Sequence, residues 1–363
     1  MTFSSTHPKK RIFYFDALRA LAIICVIIIH AYARNYHIIL TEIDPYPTYK
    51  YIYTHMMSDW FRIGVDLFLM LSGALSLGRN WEIKDFLGKR IPRIVSPFLF
   101  WGITLSLLMI ICSYYFNFHI IKSYDFMSIL NYIYNSFLAH NKGFTPYWFF
   151  WMILGTYLIM PIFNKWLILA DLKEAEYFLV FWLITCLFDA TLLIDFPIKL
   201  NYFTSPIGLV VLGYYLRHTE RKLLNNPYFD ILLIAVPCIV MLILSVHFST
   251  PNKFFVFARY SLPVSIEVMG IFLLFKNFSK LPISFNFLKN QNGIFRKSVA
   301  ILAKYSYGIY LIHAVIQYLL LKLPIHGYNL RVFICIFVAL FLSVLVMDIF
   351  NRIPYINQII GAK

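Results

Sequence analysis

Long apolar segments constrain the fold of this chain more than any other feature. A helix that crosses a lipid bilayer needs about 20 consecutive, mostly apolar residues. The chain offers ten such candidates, at 12–34, 60–78, 94–116, 147–170, 176–195, 203–217, 228–248, 259–276, 299–321 and 330–350. Only 13% of its residues are charged, whereas a soluble domain carries about 25%. We therefore predict an all-α, polytopic transmembrane helical bundle of about ten spans.

Little of the chain remains outside these segments. The longest stretches between them, 35–59 and 117–146, are predicted to be loops, which leaves no room for a second domain. We therefore expect residues 1–363 to form a single integral-membrane domain. The first apolar segment follows a short basic lead without a cleavage site, so we expect it to be retained as a span.

The net charge of +15 has a simple explanation in a membrane protein. When the N-terminus is placed in the cytoplasm, the segments on that side hold more than twice as many Lys and Arg residues as the opposite loops. Positive residues concentrate in cytoplasmic loops. The bias predicts that both termini lie in the cytoplasm, and it explains most of the net charge without a nucleic-acid partner.

The sequence gives no sign of a metal or disulfide framework. Its five cysteines all fall in apolar segments and form no Cys-x-x-Cys pair, which argues against a zinc site or a set of disulfides. The phosphate-binding GxxxxGKS motif and the metal-binding HExxH motif are also absent from the sequence. The GxSxG motif of a hydrolase nucleophile elbow is absent as well. An ATP-driven pump and such a hydrolase are therefore disfavoured.

Ionisable residues within the apolar segments are functional candidates, because a charge near the bilayer centre costs about 3 kcal/mol or more. The first segment contains Asp16, Arg19 and His30. Arg19 and His30 are about three helical turns apart, so they share one face and are separated by about 16 Å. Asp16 lies one turn before Arg19 and is expected to pair with it. His30 is a candidate general base, and a structural hydrogen bond between helices is the alternative.

Later segments add further ionisable residues. Arg62 and Asp66 are one turn apart and are expected to pair. Glu267 is a second buried acid that needs a partner, either a histidine or an arginine. His313 shares a helix face with Ser306 and Tyr310 and is a packing residue or a site residue. The candidate catalytic residues are Arg19, His30, Asp66, Glu267 and His313.

Two local patterns have a structural and a functional interpretation. Lys89, Arg90 and Arg93 precede the third segment on the predicted cytoplasmic side. Such charges set topology, and they also suit the phosphates of a soluble polyanion. Ser72 and Gly73 lie within the second segment, where small residues let helices approach closely.

Five segments form an ordered set along the chain. They are FDALRALAIICVIIIHA, RIGVDLFLMLSGALSLG, LGKRIPRIVSPFLFWG, PYWFFWMILGTYLIMPIF and YSYGIYLIHAVI. The first has an Arg-x10-His spacing and the second a Ser-Gly pair. Together these segments resemble the acyltransferase 3 family of integral-membrane acyltransferases, over about residues 10 to 350.

The resemblance implies a multi-pass protein of the cell membrane, of a type that modifies bacterial surface glycans. It implies about ten spans, a cytoplasmic acetyl-CoA-like donor as co-substrate, and a glycan or lipid-linked sugar as the acceptor. The family's functional positions correspond here to Arg19 and His30 in the first helix, Arg62, Ser72 and Gly73 in the second, Lys89, Arg90 and Arg93 on the donor side, and Trp148 and His313.

These implications suggest a mechanism. Arg19 and the basic cluster of Lys89, Arg90 and Arg93 hold the donor's phosphates, and the thin pantetheine arm enters towards His30. His30 acts as general base on the acceptor hydroxyl, or as a transient acyl carrier. The acids Asp66 and Glu267 orient or polarise His30. The candidate substrate-binding residues are Arg62, Ser72 and Trp148.

Three alternatives remain open at this point. One is a glycan polymerase, which would be expected to carry a long extracytoplasmic loop, whereas the longest predicted loop here is 117–146. The transferred group is acetyl or, alternatively, succinyl. Alternatively, the chain is a transporter of polysaccharides or lipid-linked glycans, because transporters of this kind have a similar hydropathy pattern. Transporters often contain inverted repeats, and no internal symmetry is evident in this sequence.

Overall fold

The computed structural model describes residues 12–41, 49–194, 201–249, 255–281 and 293–362. In these ranges the chain is helical and contains no β-strand. The helices are α1 (Phe13–Thr41), α2 (Tyr49–Trp60), α3 (Gly64–Ser76), α4 (Ile83–Phe116), α5 (Phe126–Phe137), α6 (Trp148–Leu169), α7 (Leu172–Leu187), α8 (Asn201–His218), α9 (Pro227–Phe248), α10 (Leu262–Asn277), α11 (Ile294–Leu320) and α12 (Tyr328–Asn351). The predicted all-helical membrane fold is therefore confirmed.

Eight helices are long and apolar enough to cross a membrane, among the residues that the structure describes. They are α1, α4, α6, α7, α9, α10, α11 and α12. The other two predicted spans correspond to α3 and α8. Since α3 has 13 residues, it is about 20 Å long, which is shorter than the bilayer's hydrocarbon core of about 30 Å. The total of ten spans stays a prediction.

The predicted second span, 60–78, differs from the structure. A turn at residues 61–63 separates α2 from α3, and α2 occupies part of the predicted loop 35–59. Polar residues made this region look like a loop, but the structure buries them with partners. The Asp59 carboxylate accepts a hydrogen bond of 2.5 Å from Ser245 on α9, and His55 lies 3.0 Å from the Ser249 hydroxyl.

The second predicted loop, 117–146, also contains a helix. Asp125 precedes α5 and accepts a hydrogen bond of 3.0 Å from the backbone N–H of Ser128. A side-chain acceptor at this position satisfies one of the free N–H groups of the first turn. Phe126, Met127 and Tyr134 of α5 are exposed, so apolar surface of this short helix faces outwards.

Close backbone contacts hold α3 in place. A Cβ atom added to Gly73 would lie 1.8 Å from the carbonyl oxygen of Val210 in α8. A Cβ added to Gly213 of α8 would lie 2.0 Å from the Met70 oxygen. A Cβ added to Gly64 would lie 2.7 Å from the Ala22 oxygen of α1. The first two contacts agree with the close helix packing predicted for Ser72-Gly73, and the third places the start of α3 beside the middle of α1.

The beginning of α1 and the end of α12 lie on the same face of the bundle. Arg296, at the start of α11, stacks on Phe13 of α1 at 4.2 Å. Tyr305 of α11 donates a hydrogen bond of 3.1 Å to Asp348 near the end of α12. The segment after α12 then packs against α4, where Trp101 donates a hydrogen bond of 3.0 Å to the Ile360 carbonyl. We call this side the N-terminal face; its assignment to the cytoplasm stays a prediction.

Candidate active site

Two histidines meet in the interior of the bundle. The Nδ1 atom of His30 on α1 lies 2.9 Å from Nε2 of His313 on α11. Their rings are stacked, with centroids 5.1 Å apart and planes at 25°. His313 is fully buried, whereas His30 keeps part of its surface accessible. The structure thus brings together two site residues that are 283 positions apart in the sequence.

The hydrogen bonds of this pair specify its tautomers. Nδ1 of His313 lies 2.8 Å from the Tyr310 carbonyl oxygen and 3.1 Å from that of Ile309. Carbonyl oxygens only accept, so Nδ1 of His313 carries the hydrogen, and its Nε2 in the neutral ring is an acceptor. His30 must then donate from Nδ1. Nε2 of neutral His30 is left with a free lone pair, which is what a general base requires.

Gln317, which the sequence did not single out, connects the surrounding helices one turn beyond His313. Its amide nitrogen donates to the Ile27 carbonyl of α1 at 3.0 Å and to the Cys335 carbonyl of α12 at 3.1 Å. It therefore fixes α1 and α11 at a constant separation beside the histidine pair. An isolated glutamine in an apolar helix is the only sequence signal for this role.

A cavity of about 680 Å³ opens from the N-terminal face towards the histidines. Its charged lining residues are Arg19, Arg90, Arg93 and Lys304. Arg19 forms the predicted ion pair with Asp16, at 3.2 Å. Lys304 was not among the predicted site residues, because its position looked like ordinary topogenic charge. We call this space the basic cavity.

The basic cluster is only partly used in the lining of this cavity. Arg90 donates a hydrogen bond of 2.7 Å to Ser76 at the end of α3, which directs its guanidinium inwards. Lys89 is exposed and lies outside the lining. The positive charge is dense on this face: partial burial lowers the pKa of nearby Arg79, and the charges of Arg217 and Arg90 lower it further.

The inner end of the basic cavity is aromatic. Phe68, Phe149 and Tyr310 line it, and the Phe149 and Tyr310 rings are 5.1 Å apart. Tyr310 donates a hydrogen bond to the Pro146 carbonyl, and its ring centroid lies 5.8 Å from that of His313. Ser72 also lines this cavity, which places it on the same side as the basic residues. The cavity therefore ends one side chain away from the histidine pair.

Asp66 occupies a different position, at the start of α3. Its carboxylate lies 4.0 Å from Nε of Arg259, in the segment before α10. The structure therefore pairs Asp66 with Arg259 rather than with Arg62, the expected partner. The Arg259 guanidinium stacks on the Trp148 ring at 4.1 Å. Arg259 is the first residue of the predicted span 259–276, and the sequence gives no indication that this position lies against Asp66.

The two predicted acids do not contact the histidines by hydrogen bonds. His30 bonds to His313, and Glu267 on α10 accepts a hydrogen bond of 3.4 Å from the Cys238 thiol of α9. The idea that Asp66 or Glu267 orients His30 therefore has no hydrogen bond to support it among the described residues. His313 takes that position instead.

The cysteines form neither disulfides nor a metal site among the described residues. Cys25, Cys112, Cys186, Cys238 and Cys335 are free thiols. Within the described ranges, no three His, Cys, Asp or Glu side chains are grouped so as to hold a metal ion. The site therefore consists of the histidine pair, the basic cavity on one side and the Asp66–Arg259 pair.

Comparison with known proteins identifies the family. A comparison with curated proteins gives no match, and neither does a comparison with solved structures. The family model described as an acyltransferase domain, Acyl_transf_3, matches residues 12–348, nearly the whole chain. Together with the apolar helices, this match identifies a membrane acyltransferase. The resemblance of the five segments is confirmed: the chain belongs to the acyltransferase 3 family.

Proposed function

We propose that this enzyme transfers an acyl group, most simply acetyl, from acyl-CoA to a hydroxyl of a cell-surface glycan or lipid-linked sugar. One observation carries the proposal: a basic cavity ends at Tyr310, whose ring lies 5.8 Å from that of His313, and His313 in turn bonds to His30, whose Nε2 atom is free to accept a proton. This arrangement supplies a place for a polyanionic donor and a base for the acceptor.

The donor side follows from charge and shape. CoA carries several phosphates, and guanidinium groups bind phosphate oxygens through strong, charge-assisted hydrogen bonds. Arg19, Arg90, Arg93 and Lys304 provide four cationic groups at the cavity. Beyond them, apolar and aromatic side chains line the space, which suits a thin, uncharged pantetheine arm. The distance from Arg19 to His30 along α1 is about 16 Å.

The chemistry needs one proton transfer to the enzyme. Nε2 of His30 removes the proton from the acceptor hydroxyl, whose oxygen attacks the thioester carbonyl carbon. The C–S bond breaks, the acyl group stays on the acceptor oxygen, and the CoA thiolate leaves with the proton that Nε2 of His30 had taken, which restores the neutral base. While His30 is protonated, His313 continues to accept the hydrogen bond from its Nδ1–H group. Because His313 acts through His30, it is a positioning residue.

The two substrates approach from different sides in this proposal. The N-terminal face is the cytoplasmic one, in line with the excess of positive residues there, and the donor enters from it. The acceptor approaches from the side of Arg62, Trp148 and Arg259, which are not among the residues that line the basic cavity. The membrane is then the cell membrane of a bacterium, and membrane lipids surround the bundle.

The test is mass spectrometry of surface glycans and lipid-linked sugars from cells that express the wild type, His30→Ala or no protein. His218→Ala is the matched control, because His218 is exposed at the end of α8. Membrane insertion is checked in every sample. An acyl mass increment with the wild type and His218→Ala, but not with His30→Ala, is the expected result.

Other outcomes discriminate between the alternatives. An increment that persists in His30→Ala removes His30 as the base. An increment with the mass of succinyl rather than acetyl changes the donor. Altered glycan export without any increment would contradict the proposed transfer and favour transport.

A further inference from the structure

The buried carboxylate of Asp66 lacks hydrogen-bond partners in the described part of the chain. Its side chain is 1% exposed, and neither carboxylate oxygen has a hydrogen-bond partner among the described residues. A buried carboxylate without hydrogen bonds is costly. The nearest ion pair, with Arg259, is long at 4.0 Å. The carboxylate therefore has unused capacity to accept hydrogen bonds.

The two arginines near Asp66 have complementary unused donors. The Nε atoms of Arg62 and Arg259 are buried and have no hydrogen-bond partner within the described part of the chain. The Arg259 side chain keeps 26% of its surface accessible, and Arg62 and Trp148 are also partly accessible. Two partly accessible arginine side chains with unused donors thus lie near a buried carboxylate with unused acceptors.

The loop that carries Arg259 is held on both sides. The backbone N–H of Phe257 donates to Asp59 at 3.0 Å, and the backbone N–H of Leu262 donates to the Thr191 hydroxyl at 2.7 Å. Asp59 also accepts from Ser245, so this acid is fully used in positioning the loop. Arg259 is therefore fixed over Trp148, as a binding residue needs to be.

This group of residues also lies close to the proposed base. Gly64, two residues before Asp66, packs against Val26 of α1, one turn before His30: a Cβ added to Gly64 would lie 2.8 Å from the Val26 side chain. A ligand between Asp66 and Arg259 therefore reaches the neighbourhood of His30 from a position that is separate from the lining of the basic cavity.

We propose that Asp66 and Arg259 bind hydroxyl groups of the acceptor sugar and so determine which hydroxyl is presented to His30. The inference rests on the proposed function and names its acceptor as a sugar with neighbouring free hydroxyls. A purely anionic ligand is repelled by Asp66 and a cationic one by the arginines. A neutral hydroxyl both donates and accepts, so two of them satisfy the carboxylate and the guanidinium together. The accessible part of the Trp148 ring offers a flat apolar surface for the sugar's C–H groups.

The experiment uses purified full-length protein in lipid nanodiscs with radiolabelled acetyl-CoA. The acceptors are methyl glycosides of common hexoses and the monodeoxy derivatives of the best one. The variants are Asp66→Asn and Arg259→Gln. Asp230→Asn is the matched control, because Asp230 is also a buried acid but is hydrogen-bonded by Asn277 at 2.8 Å. Thermal unfolding and acetyl-CoA binding are measured for each preparation.

Loss of a hydrogen bond to a charged group weakens binding by about tenfold or more. We expect both variants to raise the KM for the glycoside by that factor, with the KM for acetyl-CoA unchanged. We also expect Arg259→Gln to give a mixture of acetylated positions, read by NMR, where the wild type gives one. With the wild type, a deoxy acceptor that lacks the hydroxyl bound by Asp66 should have a higher KM than the parent glycoside. With Asp66→Asn, the two acceptors should have the same KM.

Two results would overturn the inference. One is a fall in kcat with an unchanged glycoside KM and unchanged position, since the residues would then act on His30 or on the fold. The other is a wild type that acetylates no glycoside at all. The mass increment on cellular glycans is scored separately, so that a failure of acyl transfer and a failure of the sugar site are told apart.

Discussion

The pairing of His313 with His30 leads to a sharp prediction about two substitutions at one position. His313→Leu keeps an apolar side chain of moderate size but removes the acceptor for the Nδ1–H group of His30. His313→Gln keeps an acceptor, the amide carbonyl oxygen, near the position of Nε2. If the role of His313 is to hold the tautomer of His30, the glutamine variant should be much more active than the leucine variant.

The magnitude follows from the one hydrogen bond of 2.9 Å between the rings. Leaving the N–H group of His30 without a partner costs about 1 to 3 kcal/mol. Because each 1.36 kcal/mol is a factor of ten in rate, kcat for His313→Leu should fall about 5- to 150-fold. His313→Gln should stay within about tenfold of the wild type. His30→Ala, which removes the base itself, should lose about 10²- to 10⁴-fold.

The assay is release of CoA from acetyl-CoA in the presence of acceptor, with purified protein whose unfolding temperature is recorded. Equal activity of His313→Leu and the wild type would refute the tautomer argument. Equal, severe losses in the leucine and glutamine variants, with unchanged unfolding temperatures, would show that His313 does more than accept a hydrogen bond.

Three further predictions concern the basic cavity and the helix packing around it. Arg90→Gln and Arg93→Gln should each raise the KM for acyl-CoA several-fold, with a smaller effect at high salt, whereas Lys89→Gln, outside the lining, should leave this KM unchanged. Gly73→Ala should lower the unfolding temperature and the activity together, because its Cβ would lie 1.8 Å from the Val210 oxygen. Trp101→Phe should remove the hydrogen bond to Ile360, cost about 1 kcal/mol, and make the C-terminal segment more sensitive to protease.

Hydropathy predicted most of the fold, and its error at α2 has a physical cause. The apolar segments correspond to eight helices suited to crossing a membrane. The helix α2 was predicted to be a loop because it contains His55 and Asp59. These polar side chains are buried because Ser249 and Ser245 provide hydrogen-bond partners for them. Both serines lie almost 200 positions further along the chain. A window of local sequence contains no information about such partners.

The candidate site was predictable as a set of residues but not as an arrangement. His30 and His313 are recognisable because an imidazole among apolar residues is expensive. Their contact depends on the packing of α1 against α11, which neither segment specifies alone. Arg259 was not identified, since an arginine at the edge of a predicted span is ordinary. Its role depends on the hydrogen bond from Phe257 to Asp59, which folds the loop inwards.

The interruption between α2 and α3 suits the proposal that one histidine serves two substrates. A continuous helix satisfies its own backbone and presents only side chains, so irregular backbone inside a membrane occurs where it is covered by protein or lines a cavity. Here α3 begins beside Ala22, in the middle of α1, with Asp66 in its first turn. Its other end, at Ser76, meets Arg90 of the basic cavity. One short helix therefore connects the proposed donor side to the proposed acceptor side. A change that moves it, such as Gly73→Ala, should impair both substrates at once, whereas changes at Arg93 or Arg259 should impair only one.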